Sequence, residues 1–389
     1  MSVKIKIAII FGGCSSEYAV SLKSAHAVIT HLDGRKYDLV LLGVTPSGEW
    51  FRFSGDVDRI KDDTWRNNSD CTKAIISPSR ETGGVLVFEK TGARAIRLDA
   101  AMPVLHGKNG EDGTVQGLLE LAGIPVVGCG SLSSALCMDK DRAHKLAKMA
   151  GVRIPRSFVL KRGADIASAQ VMPRAKNLGY PLFVKPVKAG SSIGITMVSH
   201  ESKLPAAINI AFEHDDEVLV EERINGVEIG CAVLGAGSPV VGELDEIELS
   251  GGFFDYKEKY TLETSAIHVP ARVFGKKAAE IKETAKIIYK ALGCHAFARV
   301  DMFLTPYGEI IFNEVNTIPG FTAHSRYPNM LKEAGISFEQ ILDTAIGLAV
   351  GREEERLSSG AAPAQRHEGS LSKVEASAHG HEAPRRRSA

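Results

Sequence analysis

Apolar positions along this chain fall into short blocks whose period changes from one block to the next. Residues 5–11 are almost continuously apolar and end in a glycine pair, the pattern of a buried strand. Residues 18–32 read as a helix that Ser15 and Ser16 can cap, and 37–44 as a second strand. This strand-loop-helix-strand start predicts an open parallel, Rossmann-like sheet. Residues 53–97 are polar and irregular, with weak strands such as 84–88, and predict surface structure. A strand at 101–105 follows, with helices from about 114, 131, 203, 276 and 337. Apolar strands at 182–186, 217–222 and 227–234 lie among them, with an acidic–apolar alternation at 243–249. The fold class expected is α/β (α+β).

The chemistry concentrates between Arg299 and Arg326. Two alternating runs flank a turn containing Pro306 and Gly308, which predicts a hairpin. If Leu304 pairs with Glu309, Asp301 lies opposite Phe312 and Arg299 opposite Glu314. Alternation then gathers Arg299, Asp301, Glu314 and Asn316 on one face. Two carboxylates and an amide oxygen make a hard site of the kind Mg²⁺ accepts beside phosphates. A solvated face of ion pairs is the other reading of the same pattern.

Three loops add polar groups. Glu17 stands at the carboxyl end of the first strand, where open sheets bind ligands, although its spacing alone suits a first-turn Glu favoured by the helix dipole. The Gly-rich loop at 106–113 reads equally as a ligand cradle or a connector. Lys140 opens a helix, where a lysine is as readily solvated as bound to phosphate. The strand ending in Lys185 runs into Gly190-Ser-Ser-Ile-Gly194, which is no Walker loop but can fold over a triphosphate between strands. Residues 250–265 predict a lid.

Lys+Arg and Asp+Glu both number 47, so no global basic field points to nucleic acid. The 6 cysteines include no CxxC pair, which argues against zinc and disulfides and for reduced thiols in a cytoplasmic protein. No apolar run approaches the ~20 residues of a membrane span, and no signal peptide is legible, so no membrane partner is expected. Residues 353–389 are poor in apolar side chains and predict a disordered tail.

Gly12-Gly-Cys-Ser-Ser-Glu17, His106-Gly-Lys-Asn-Gly-Glu-Asp-Gly113, Met138-Asp-Lys140, Lys185-Pro186 with the Ser191-Ser192 loop, Lys259-Tyr260, and Asn313-Glu-Val-Asn316 continuing through Gly320 occur in one order. Together they resemble the D-alanine–D-alanine ligase family, which has the ATP-grasp fold. The resemblance spans residues 1–350 and implies an N-terminal domain at 1–128, ATP-grasp subdomains at 129–222 and 223–352, and a homodimer. It implies ATP with two Mg²⁺ ions, or Mn²⁺, held by Asp301, Glu314 and Asn316. Lys140, Lys185, Ser191, Ser192 and Lys259 would bind phosphates, with Asn313 and Glu314 beside them. Glu221, Glu222 and Ile224 would meet adenine, and Glu228 the ribose. Glu17 and His106 would hold the first D-alanine, with Ser192 and Tyr260 tying the loop and lid to Glu17. Arg299 and the Gly320 N–H would stabilise the oxyanion.

Arg326 departs from the D-alanine-specific pattern, in which an apolar Leu follows the matching His-Ser. With Asp245, Phe254 and Ser325 it is most similar to the G-type vancomycin-resistance D-alanine–D-serine ligases. The expected second substrate is therefore D-serine, with D-alanine also usable.

Overall fold

The computed structural model describes residues 3–67, 69–164, 166, 171–249 and 265–358. The first strand, β1 (Ile5–Gly12), is buried from Ile7 to Phe11 and pairs in parallel with β2 (Tyr37–Val44), Ile5 facing Tyr37. Helix Tyr18–His31 joins them. Ser15 does not cap that helix from within: its Oγ accepts the Glu17 N–H at 3.1 Å and donates to the His106 carbonyl at 2.6 Å.

The stretch expected to be irregular surface with weak strands is more ordered than that: the strand expected at 84–88 forms as β5 (Gly84–Glu89), joined by β3 (Trp50–Phe53), β4 (Cys71–Ile76) and β6 (Gly92–Arg97). They pair antiparallel outward from β2, while β7 (Ala100–Pro103) lies parallel on the other side of β1. The order is β6-β5-β4-β3-β2-β1-β7, so the sheet is mixed rather than parallel. Ala74, Ile76, Val85 and Val87 are its inward positions, spaced by two along each strand.

A second sheet comprises β8 (Ser157–Lys161), β9 (Leu182–Pro186), β10 (Thr196–Val198) and β11 (Glu217–Glu222), all antiparallel in the order β10-β9-β11-β8. Helices Val171–Leu178 and Leu204–Phe212 bury Val171, Ala175, Leu204 and Ile208 against it.

The third sheet holds β12 (Val227–Gly235), β13 (Val240–Leu249), β14 (Ser265–His268), β15 (Ala296–Leu304) and β16 (Ile310–Asn316) in the antiparallel order β14-β13-β12-β15-β16. Helix Gly275–Ala291 buries Ile281, Ala285 and Ile288 against Val300, Met302 and Phe312, leaving the opposite face for polar side chains. Helix Arg326–Glu333 follows the site loop.

The last helix, Phe338–Ser358, runs into the segment expected to begin a tail. Glu353 to Leu357 are strong helix formers with no Gly or Pro among them, so low apolar content did not end the helix there. The rest of the expected tail, and the lid with Phe254, Lys259 and Tyr260, lie outside the described residues. Among the described residues no helix is long and apolar enough to cross a membrane.

Candidate active site

The expected hairpin forms, with a different register. Thr305 and Gly308 close the turn, the Gly308 N–H reaching the Thr305 carbonyl at 2.9 Å, so Leu304 pairs with Ile310 and not with Glu309. A β-bulge at Asn313 then shifts the ladder once more, setting Asp301 opposite Glu314 and Arg299 opposite Asn316. The bulge also separates faces. Phe312 and Glu314 are two residues apart, yet Phe312 is in the core while Glu314 belongs to the polar face. The four predicted side chains do share that face, in direct opposition.

The polar row crosses four strands. Asp245 pairs with Gly230, Gly230 with Asp301, and Asp301 with Glu314. Gly230 is the gap in this row, and the Arg326 guanidinium fills it. Arg326 Nε and Nη2 donate to Asp245 Oδ2 and Oδ1 at 2.6 and 2.8 Å. Its Nη1 lies 3.4 Å from Glu228 Oε1, and its Nη2 3.5 Å from Asp301 Oδ1. A Cβ at position 230 would stand 2.5 Å from Arg326 Nη2 and closer still to Asp245 Oδ1. The Gly230 N–H completes Asp245, donating to Oδ1 at 2.9 Å. Burial opposes the Arg326 charge, but Asp245 and Asp301 outweigh it and hold its pKa well above the usual arginine value. Glu228, expected at the ribose, thus also faces this arginine.

Asp301 is 1% exposed and receives Arg299 Nε at 2.9 Å, Arg299 Nη2 at 2.8 Å and Asn316 Nδ2 at 2.9 Å. Among the described residues no group of three His, Cys, Asp or Glu is arranged to hold a metal. The donors Asp301, Glu314 and Asn316 nevertheless fit a hard cation: all offer oxygen, two are directly opposed carboxylates, and incoming phosphates supply the remaining ligands. Asn316 Nδ2 is turned to Asp301, so its amide oxygen is the end left for such an ion.

Lysines converge on this face, Lys140 from the start of helix Lys140–Met149 and Lys185 from the second sheet. Lys185, at the end of β9, pairs with Glu221 of β11, both buried. Glu221 Oε2 has no hydrogen-bond partner among the described residues. Lys140 Nζ donates to the Ala189 carbonyl at 2.7 Å and lies 3.9 Å from Glu314 Oε2. Glu222, expected at adenine, receives Arg156 Nε at 2.7 Å and the Arg156 N–H at 2.8 Å. Ile224 is half-buried beyond it. Ser191 and Ser192 both adopt positive φ, 51° and 59°, which turns the loop over towards the first sheet.

There Ser191 Oγ donates to Glu17 Oε1, so the loop carrying Ser191 and Ser192 is tied to Glu17. Glu17 packs onto Gly107, at φ 72°, where a Cβ would overlap its Oε2. His106 is buried and donates Nδ1–H to the Ile318 carbonyl at 2.9 Å, while its Nε2 stands 3.1 Å from Ser24 Oγ. Burial lowers its pKa, consistent with a neutral ring. Ser24 Oγ accepts the Phe321 N–H at 3.3 Å, and Ser325 Oγ accepts the Thr322 N–H at 3.1 Å, bracketing Gly320.

Glu111, not singled out by sequence, is the joint of this region. Its carboxylate accepts the Gly107 N–H at 2.8 Å and the Ile318 N–H at 3.1 Å. Burial first, then the Glu17 charge, push its pKa up to about 8 against those two donors. Ser24 and Gly230 were missed as well. A small residue within a helix or strand carries no local sign of what crosses it.

Comparisons with known proteins agree with this layout. The family model described as D-ala D-ala ligase N-terminus matches residues 6–129, and that described as D-ala D-ala ligase C-terminus matches residues 146–347. The solved structure of the VanG D-Ala:D-Ser ligase from Enterococcus faecalis is similar at 56% identity and TM-score 0.83, covering 89% of this chain and 100% of that one. The vancomycin B-type resistance protein VanB of Enterococcus faecalis is 44% identical over 354 residues, 90% of this chain and 99% of its own. A putative D-alanine–D-lactate ligase of Streptomyces coelicolor is 43% identical over 352 residues, 89% of this chain and 98% of its own.

Proposed function

The chain belongs to the D-alanine–D-alanine ligase family, ATP-dependent ligases that use divalent metal, and from that premise we propose that it joins D-alanine to D-serine for peptidoglycan precursors. The observation that carries the choice is the Arg326–Asp245 pair, a buried polar device set where D-alanine-specific relatives have an apolar side chain. The VanG likeness supports the same choice. A site built to bond a hydroxyl discriminates strongly, because an analogue lacking it leaves buried polar groups unpaired.

Glu17 holds the first D-alanine's ammonium, with Ser191 fixing the carboxylate that does so and His106 completing the same subsite. The D-alanine carboxylate attacks the γ-phosphate of ATP, giving D-alanyl phosphate and ADP. Lys140, Lys185, Ser192 and Lys259 bind the phosphates, and Glu221 and Ile224 meet the adenine. Asp301, Glu314 and Asn316 would hold Mg²⁺, which neutralises charge on the transferring phosphoryl group. The D-serine amine then attacks the acyl carbon, and phosphate leaves. Arg299 and the Gly320 N–H stabilise the tetrahedral oxyanion. Phe254 and Ser325 shape the second subsite, and Tyr260 closes the lid on Glu17, keeping water from the acyl phosphate. A cytoplasmic homodimer is part of the proposal, checked by sedimentation.

The test is competition: purified protein with ATP, Mg²⁺ and equal D-alanine and D-serine, products separated by mass. D-Ala-D-Ser should predominate. A strong D-Ala-D-Ala preference overturns the serine assignment and leaves an ordinary cell-wall ligase.

A further inference from the structure

Helix Lys140–Met149 meets β16 through two side chains one turn apart, which a helix presents on one face. Lys140 reaches towards Glu314, and His144 reaches the residue before it. His144 Nε2 stands 2.8 Å from the Asn313 carbonyl oxygen. A carbonyl only accepts, so Nε2 carries the proton and Nδ1 holds the lone pair. That Nδ1 is buried with no hydrogen-bond partner among the described residues, and the residue is 2% exposed. The ring also packs edge-on against Phe312, centroids 5.5 Å apart.

Asn313 is the extra residue of the bulge, and a bulge leaves groups that the ladder no longer pairs. The two sides of this one are held from outside the hairpin. The Phe312 N–H donates to the Arg153 carbonyl at 2.9 Å, and the Asn313 carbonyl accepts from His144. Between them the chain switches Phe312 into the core and Glu314 onto the polar face opposite Asp301. Without His144 this partly buried carbonyl would lose the partner that holds the bulge from the helix side.

We propose that His144 is a positioning residue for the ATP-bound metal: by anchoring the Asn313 carbonyl it fixes the bulge that aims Glu314 at Asp301. This rests on the reading of Asp301, Glu314 and Asn316 as metal donors. His144 touches neither metal nor substrate; it acts through the backbone of the residue beside a ligand. Outer groups of this kind set ligand orientation, and their loss typically weakens metal binding about 10–100-fold.

The test needs no turnover. Mn²⁺ binding to the full-length protein with the non-hydrolysable analogue AMPPNP, without D-amino acids, is followed by electron paramagnetic resonance. His144→Phe keeps the ring against Phe312 and removes the donor; His144→Gln keeps a donor at the Nε2 position. Mn²⁺ affinity should fall about 10-fold or more in the Phe variant and return to within about 3-fold of wild type in the Gln variant. If the Phe variant does not fold, His144→Asn, whose amide reaches only the Nδ1 position, replaces it with the same expected loss. Wild-type affinity in the donor-less variant overturns the proposal, as does equal weakening by Gln. Wild-type protein that binds no Mn²⁺ with AMPPNP overturns the metal reading and this inference with it, whereas weakening by Asp301→Asn but not by the donor-less His144 variant overturns the inference alone.

Discussion

At the residue scale the weightiest interaction is Arg326 with Asp245. Asp245 is 0% exposed, so removing the guanidinium strands a carboxylate in the core of the sheet face. Breaking such a pair from one side costs about 3–5 kcal/mol, while replacing both partners is far milder. Arg326→Leu should therefore lower stability to urea by that amount, and adding Asp245→Leu should recover most of it. Equal stability of the single and double variants would show that the pair is solvated in practice. The consequence for substrate choice is that the double variant is the fair probe: it should retain D-alanine use and lose most D-serine use. Glu111 gives a pH dependence with a definite sign. Its pKa is raised to about 8 in the folded protein, so the folded state binds the proton more tightly than the unfolded chain does. Its contribution is full below the unfolded value near 4.5 and is lost as pH rises through about 8. The thermal midpoint should fall between pH 6 and 9, and Glu111→Gln should flatten that fall even if it lowers the midpoint overall. An unchanged slope in the variant would mean that Glu111 is already ionised near neutrality.

At the scale of elements, loops position what strands supply. Gly107 holds a left-handed conformation under Glu17, and a side chain there would meet both backbone strain and the Glu17 carboxylate. Gly107→Ala should cost about 1–2 kcal/mol from φ alone. It should also raise KM for the first D-alanine about tenfold, corresponding to roughly 1.4 kcal/mol of lost binding. An unchanged KM would remove Glu17 from the first subsite. These loops also mark where sequence stopped informing. Alternation alone put Arg299, Asp301, Glu314 and Asn316 on one face, because period two is a property of any strand. It could not fix their register, since the turn and the bulge each shift the ladder, and the bulge depends on His144 from a distant helix. The same limit hid the Ser191 bond to Glu17, which depends on two successive positive φ values in the loop. Strands β4 and β6 were hidden for a plainer reason: β4 buries only Ala74 and Ile76, and β6 buries no residue. Arg326 was legible because an arginine buried in a sheet face needs a buried acid, and Asp245 supplies it.

Across the whole molecule, the first and third sheets share one apolar core with the last helix, Ile9 and Phe11 clustering with Ala232, Phe297 and Ile346, whereas the second sheet keeps its own core and meets them at polar contacts. Ser191 reaches Glu17 from the second sheet to the first, Glu111 and His106 reach Ile318 from the first towards the third, and Lys140 faces Glu314. Lys36 and Tyr37 add a brace at the far side, both donating to Asp343 of the last helix at 2.6 and 2.7 Å. The candidate site residues all precede Tyr327, so a chain ending at Ser358 should give the same product ratio as the full one. Nucleotide would lie between the lysines of the second sheet and the carboxylates of the third, joining parts that now meet at few points. Ligand that binds only this joined state stabilises it by about 2.7 kcal/mol at a hundredfold excess over Kd. AMPPNP with Mg²⁺ should thus raise the thermal midpoint by several degrees, and AMPPNP with chelator by clearly less. Asp301→Asn should abolish the difference between those two increments, whatever it does to the baseline. If the wild-type increments are equal with and without Mg²⁺, the carboxylate row does not bind metal through the nucleotide, and Asp301 serves only to hold Arg299 and Arg326 in place.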